Sequence, residues 1–458
     1  MIRLPCEVEV LERIKPLQEE YDHIRSVADA LIAAVNDSGS ARGMVVGSVA
    51  RDTWVRGDRD LDIFMLFPPS LSREELEKQG LGLARAIGRQ YGATMREKYA
   101  EHPYINMCIN GLDVDLVPCY AVKQATAIQS AVDRTPFHTR YIRERIGPFI
   151  DDVLLLKQFS KVGGVYGSDQ MTEGFAGYLC ELLVLFYGGF SEVIRAAAEW
   201  RPSTAIDIEG HATKVFHDPL VVIDPVDPAR NVAASLSLSR MFEFVELARG
   251  YSAAPGAVYF SHPAPAIPDR GAFIARLEER GTKLYAITLK TPHTIPDIVV
   301  PQLRKSTAAI ADMLIRYGFV VNRSACEMQD EHCMLLFELL VDSLPPVKRH
   351  MGPPVWNRAN ADKFLALYPE NTYSGPYIDD GRYYVEIARK HTHVRELLGS
   401  ESPLKVALGK HIKRSMSADR TLWEGADCWS EEFAPFLSSF ITRESPLVRI
   451  RRADRIRK

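Results

Sequence analysis

At 458 residues the chain is longer than one hydrophobic core usually serves, so two to four domains are expected and a mini-protein is excluded. Apolar residues at 46% and charged residues at 25% sit at globular averages, and no apolar run is long and charge-free enough to span a bilayer, which points to a soluble protein without a membrane partner. A formal net charge of −3 gives no chain-wide sign of a polyanionic partner, so any such contact must be local.

The opening "MIRLPCEVEVLERIK" meets charge too early for the apolar centre of a secretory signal, and a cytoplasmic protein is expected. Residues 7–35 carry helical spacing of apolar positions, then come the turn-rich "NDSGSARG" and a short β-like "MVV". Residues 61–67 read as a strand, and Ser72 with Glu75 matches a capping box opening the helix "SREELEKQGLGLARAIGRQYG". Two strands, "YINMCI" and "LDVDLVP", are joined by Asn110-Gly111, a strong hairpin signal. From 139 to 200 the pattern is mainly helical, and helix returns over 231–249. Beyond a Pro-, Ala- and Gly-rich loop, the order strand (283–290), helix (299–317), strand (319–328), strand (333–342) predicts a small sheet with helices on one face, a shape common in RNA binding. Seven scattered cysteines without a CxxC pair predict reduced thiols and no structural zinc. The chain ends in "RIRRADRIRK", six basic residues against one acid, which reads as a solvated tail or as a contact for RNA phosphates.

Chemistry concentrates in "RDLDIFMLF". Alternate side chains share a strand face, so Asp60, Asp62 and Phe64 point one way while Leu61, Ile63 and Met65 point the other. Like charges held this close persist most easily around a divalent cation, and hard oxygen ligands favour Mg2+. A second strand places Asp113 and Asp115 on one face, and either could join the first pair. Three carboxylates suffice for two metals that serve an in-line phosphoryl displacement. An isolated Asp-x-Asp is more often a pair of solvent-facing acids; what shifts the balance is "GSVAR" upstream. Gly47 permits a tight turn, Ser48 can cap the next helix and bond a phosphate oxygen, the free amides there attract anions, and Arg51 adds a fixed charge. With Asp60 twelve positions after Ser48, the joint pattern implies triphosphate binding beside a metal site.

The stretch "GSVARDTWVRGDRDLDIFMLF" resembles the signature of the polymerase-beta-like nucleotidyltransferases, and specifically the archaeal, class I CCA-adding enzymes. "KYAEHPYINM", "VDLVPCY", "SAVDRTPFHTRYI", "LLLKQFSKVGGVYG", "GFAGYLCELLVLFYGGF", "DPVDPARNVAASLS", "PQLRKS" and "ALGK" follow as family-like blocks in family order to about residue 410. Asp60 stands where some relatives have glutamate, and Val49 where tyrosine is common.

The resemblance implies an α+β architecture: a nucleotidyltransferase head (1–138), a helical central domain (139–256) and a C-terminal α/β RNA-binding region (257–458). It implies Asp60, Asp62 and Asp115 as the catalytic, metal-binding acids, with Asp58 and Asp113 as bystanders. It implies nucleotide contacts from Ser48, Arg51, His138, Lys157 and Tyr166, and a base-reading role for Arg230. Taken singly, Lys157 reads as a snorkelling lysine, His138 as a packed or exposed ring, Tyr166 as a core aromatic, and Arg230 as a partner of Asp224 or Asp227. The implied activity is template-independent addition of CCA to tRNA from CTP and ATP, with Mg2+ and release of pyrophosphate, gripping the acceptor and T-stem; a homodimer is compatible with it. The rivals are a poly(A)-type terminal transferase and a catalytically silent RNA-binding protein on the same scaffold, while an aminoglycoside-type enzyme would not need so large a C-terminal half.

Overall fold

The computed structural model describes residues 3–99, 101–261, 269–368 and 372–457, and forms two compact units, Met1–Pro265 with Glu444–Lys458, and Ala266–Arg443. The division therefore falls at 265–266 and again at 443–444, whereas the family resemblance implies one C-terminal region from 257 to 458.

The first unit opens with α1 (Pro5–Ile14) and α2 (Gln18–Asp37). One helix was expected over 7–35; Pro16, which lacks an N–H and clashes with the preceding turn, divides it in two. Then follow β1 (Arg42–Val45), β2 (Asp60–Phe67), α3 (Arg73–Gln90), β3 (Thr94–Tyr99), β4 (Pro103–Ile109) and β5 (Leu112–Tyr120). The predicted capping box opens α3: Ser72 Oγ accepts from the Glu75 amide at 3.3 Å while the Glu75 carboxylate accepts from the Ser72 amide at 2.8 Å. The five strands form one sheet in the order β1-β2-β5-β4-β3, with β2 and β5 parallel and the other pairs antiparallel. Leu61, Ile63, Met65 and Phe67 bury one face against α2 and α3, while Phe64 and Leu66 bury the other with Val117 and Cys119. The expected alternation along β2 is thus present, and both faces are apolar until the strand reaches its two aspartates.

The helical part comprises α4 (Thr135–Arg143), α5 (Ile150–Val162), α6 (Gly177–Tyr187), α7 (Phe190–Ala197) and α8 (Leu238–Ala253), with a small sheet of β6 (Thr204–Ile206), β7 (Leu220–Asp224) and β8 (Asp227–Asn231) that sequence reading did not separate. α5 is apolar almost all round because it runs through the middle of this core, where Phe159 meets the rings of Phe190, Phe244, Tyr251 and Tyr259. Among the described residues no single helix is long and apolar enough to cross a membrane; the apolar pair α6 and α7 is bent by 93° and largely buried in this core.

The second unit holds α9 (Arg270–Arg280), β9 (Lys283–Lys290), α10 (Pro296–Arg316), β10 (Val320–Met328), β11 (His332–Val341), β12 (Val347–Pro354), α11 (Arg358–Leu367), β13 (Ser374–Asp379), β14 (Arg382–Ala388), α12 (Val394–Gly399), α13 (Lys410–Ala418), β15 (Arg420–Glu424) and α14 (Ala434–Thr442). Its main sheet runs β10-β11-β9-β15, and a second sheet runs β12-β14-β13. Helices on one face were expected of the main sheet; both faces are covered. Tyr285, Ile287, Leu335 and Phe337 pack with α10, α12 and α13, whereas Leu284, Ala286, Met334 and Leu336 pack with α9 and α14. The near-continuous apolar run of β11 is the mark of a strand buried on both sides.

The last helix, α15 (Pro446–Arg457), rejoins the first unit and buries Leu447 and Ile450 in its core, so the basic terminus is a docked helix rather than a loose tail.

Candidate active site on the first sheet

The parallel register of β2 and β5 sets Asp60 beside Asp113 and Asp62 beside Asp115. Side chains in register share a face, so four carboxylates converge at one end of the pair. Burial, then the charges of Asp115 and Asp60, push the Asp62 carboxyl up to about 6. Asp60 is raised by burial and by Asp58, Asp113 and Asp115, and Asp115 is raised chiefly by burial. Partial compensation comes from β3 and β4. Asn106 Nδ2 donates to Asp115 Oδ1 at 2.7 Å and also to Asp113, and Lys98 Nζ lies 3.9 Å from Asp115. Burial and then the charge of Asp115 raise the phenol of Tyr104 on β4. Among the described residues no three such side chains are already drawn together as a ligand set. The uncompensated charge and the all-oxygen donors of Asp60, Asp62 and Asp115 nevertheless fit a divalent cation. Asp58, whose charge acts on Asp60, is itself paired with Lys161 Nζ at 2.7 Å.

Gly47 packs against Asp62. Its φ of +71° is a conformation that side chains rarely adopt, and a methyl group there would overlap Asp62 Oδ2 and lie 3.1 Å from its Cγ. After it, Ser48 begins only a single 3-10 turn (Val49–Arg51) and makes no side-chain capping bond, contrary to the expected helix cap. Ser48 still shapes the turn through its carbonyl, which accepts from the amides of Arg51 and Thr53 at 3.2 and 3.1 Å.

Arg51 and Lys157 meet at a carboxylate that sequence reading missed. Glu181 on α6 is completely buried, accepts from Arg51 Nε at 3.0 Å and from the Thr53 hydroxyl, and lies 3.8 Å from Lys157 Nζ. Arg51 Nη1 also donates to Thr139 Oγ1 at 3.3 Å. Lys157 does not snorkel: it is 2% exposed and donates to the Thr53 carbonyl at 2.7 Å. Burial lowers its ammonium below the usual range, with Glu181 pulling the other way. A lone Glu in the otherwise apolar "GYLCELLVLFY" was the signal available, since a carboxylate survives there only when paired. Tyr166 is bridged to Phe175, and burial raises its phenol; Lys161 Nζ lies 5.4 Å from the ring centre.

His138 and Arg230 form a second cluster around Asp224, at the end of β7. Asp224 is fully buried and lies 2.8 Å from His138 Nε2, 2.7 Å from Arg230 Nη1, 3.2 Å from the Tyr178 hydroxyl and 3.1 Å from the Val226 amide. Burial alone would raise its carboxyl; the bonds from His138, Val226 and Arg230 carry it down to about 2. His138 stacks on Tyr178 at 4.2 Å, and burial lowers its imidazole despite Asp224. The pairing of Arg230 with Asp224, one reading of its position in sequence, is present. Arg230 remains 37% exposed beside a cavity of about 690 Å³ that Tyr178, Arg134 and Lys214 also line.

Three family models match the chain in order: a nucleotidyltransferase domain over residues 29–138, the second domain of tRNA nucleotidyltransferase over 151–261, and the C-terminal domain of CCA-adding enzyme over 280–425. The CCA-adding enzyme of Methanoregula boonei is 57% identical over 98% of this chain and 98% of its own. That of Methanosarcina acetivorans is 41% identical over 91% and 93%, and that of Haloarcula marismortui is 42% identical over the same shares. A solved structure of the Cid1 poly(U) polymerase with Mg and 3′-dATP bound covers 56% of this chain and 97% of its own at 16% identity and a TM-score of 0.45, a distant likeness. With more than half of its residues shared along almost the full length of both chains, and with three family domains in succession, the chain belongs to the CCA-adding enzyme family.

Proposed function

We propose that this chain completes and repairs the 3′-terminal CCA of tRNA in the cytoplasm, using CTP twice and then ATP without a template. The observation that supports this best, in a chain of this family, is the parallel β2–β5 register that sets Asp62 beside Asp115 and Asp60 beside Asp113 on one face, with Asp62 against Gly47. In each round the tRNA 3′-oxygen bonds to the α-phosphorus, the bond from that phosphorus to pyrophosphate breaks, and the hydroxyl proton leaves to solvent. Asp60, Asp62 and Asp115 would hold Mg2+, which when bound helps to ionise the attacking hydroxyl and stabilises the departing pyrophosphate.

Ser48, Arg51 and Lys157 would balance the triphosphate, which would share with Glu181 two cations that the fold already keeps buried. Tyr166 and His138 would border the nucleotide. Arg230 would offer the base edge the donors that Asp224 leaves free, a fixed fork suited to the acceptor edge of cytosine. The C-terminal region would grip the acceptor and T-stem through phosphates and 2′-hydroxyls, because A-form grooves display shape better than sequence.

The test is to incubate a tRNA lacking its terminus with each labelled nucleoside triphosphate and Mg2+, and to read products to the nucleotide. Two C and then one A are expected. Indefinite A addition would favour a poly(A)-type transferase, and absence of pyrophosphate release would favour a silent RNA-binding protein.

Two substitutions follow from the geometry. Gly47→Ala should lower incorporation by about a hundredfold or more, since it displaces Asp62 from its register position by on the order of 1 Å; normal turnover would remove Gly47 from the site. Asp224→Asn should loosen Arg230, reducing selectivity between correct and incorrect nucleotides by about tenfold, the worth of one charged hydrogen bond, with kcat for CTP changing less than KM. Unaltered selectivity would show that Arg230 does not need this anchor.

A further inference from the structure

We infer that α15 is a phosphate-binding strip for the RNA substrate, carried on the first unit beside the nucleotide site. The inference rests on tRNA being the substrate. At 100° per residue, Pro446, Leu447 and Ile450 fall on the side that packs into the core, and a methyl group at Gly250 would collide with Leu447, so α8 is shaped to receive it. Arg449, Arg451, Arg452 and Arg455 occupy the opposite arc and are exposed. Arg452 pairs with Glu444, while Arg449, Arg451 and Arg455 have no carboxylate partner among the described residues. Arg451 and Arg455 are one turn apart, the spacing of neighbours on a helix face.

Two observations select RNA as the occupant. First, the strip adjoins the loop that carries Tyr166: a methyl group at Gly164 would sit 3.4 Å from Arg449 Nη2. The charges of Asp58 and Asp60 act on Tyr166, so this loop lies near the carboxylates, and an RNA whose 3′ end is held there would bring phosphates into the neighbourhood. Second, fixed guanidinium forks on a rigidly seated helix suit phosphate oxygens, and no loop closure or refolding is required to present them. The strip would add sequence-independent affinity, so it should act on tRNA binding and leave the chemical step alone.

The test uses the full chain with Arg449→Ala, Arg451→Ala and Arg455→Ala combined, and measures affinity for tRNA lacking its terminus across a salt series. The slope of log K against log salt should fall by about 2 to 3, and affinity should weaken by roughly tenfold or more at physiological salt. Incorporation at saturating tRNA and KM for CTP should hold, and the corresponding triple lysine variant should recover most of the affinity. If the triple alanine protein does not fold, Arg451→Glu and Arg455→Glu singly should each weaken binding and reduce the slope. An unchanged affinity and slope would overturn the inference, as would wild-type protein held on phosphatidylserine vesicles that tRNA fails to displace. A wild-type chain that binds tRNA, loses affinity on these substitutions and yet adds no nucleotide would support this strip while overturning the proposed reaction.

Discussion

Replacing Asp62 or Asp115 with alanine is expected to reduce nucleotide incorporation by about a thousandfold or more, the scale on which preorganised electrostatic contacts act, while tRNA affinity stays within about twofold because phosphate contacts supply it. The metal-free Asp62→Ala protein should also melt higher than the parent at neutral pH. Asp62 is pushed up to about 6 by burial and by Asp115 and Asp60, so its ionised form costs stability in the folded chain. A folded value above the unfolded one means that the folded state binds more protons between the two, and stability falls as pH rises through that window. The thermal advantage of alanine should therefore grow from about pH 4 to pH 6 and be absent below it. Asp113→Ala serves as the comparison: it frees Asn106 to bond Asp115 alone and should retain most activity. A variant that loses activity without the gain in melting temperature would mean that Asp62 is not the strained member of the group.

Glu181→Ala is expected to destabilise the first unit by about 3 to 5 kcal/mol, because it leaves two buried cations facing each other without their shared carboxylate. Arg51 is 7% exposed and Lys157 is 2% exposed, so water cannot replace Glu181 without opening the core. Thr53 loses its acceptor too. Lys157 can relieve part of the cost by giving up its proton, since burial already lowers its ammonium and Glu181 was the main opposing influence. Arg51 cannot. Hydrogen exchange at the amides of α5 and α6 would read the opening free energy locally. Glu181→Gln, which keeps the volume and one acceptor, should cost less than alanine. Protection in the alanine variant within about 1 kcal/mol of the parent would show that Arg51 and Lys157 do not depend on this carboxylate.

What could be read from sequence follows the range of the interactions. The shared face of Asp60 and Asp62, the capping box at Ser72 and the Asn110-Gly111 hairpin are set by residues a few positions apart, and each is present in the fold. Whether Asp113 or Asp115 stands beside Asp62 is a question of register between β2 and β5, which neither strand encodes alone; spacing leaves both open, the family resemblance implies Asp115, and the folded chain pairs Asp62 with Asp115. Glu181 and Asp224 are further cases. Glu181 reaches Arg51 across 130 positions and Asp224 reaches His138 across 86, and local patterning says nothing about which buried charge will meet which. The main sheet of the second unit departs from expectation for a different reason: a strand apolar on both sides does not show how many faces its helices will cover until both sets have packed. By charge the final ten residues read as a solvated tail or a phosphate contact; what docks them is Ile450 together with Leu447, which lies two positions before that stretch at a helical spacing of three.

The most direct measurement is diffraction from a crystal grown with Mn2+ and a non-hydrolysable CTP analogue, located by the anomalous signal of the metal. Density is expected between the carboxylates of Asp60, Asp62 and Asp115, with the triphosphate running from there toward Ser48, Arg51 and Lys157. Carboxylates turned away from one another around an ordered nucleotide, with no anomalous peak among them, would contradict it.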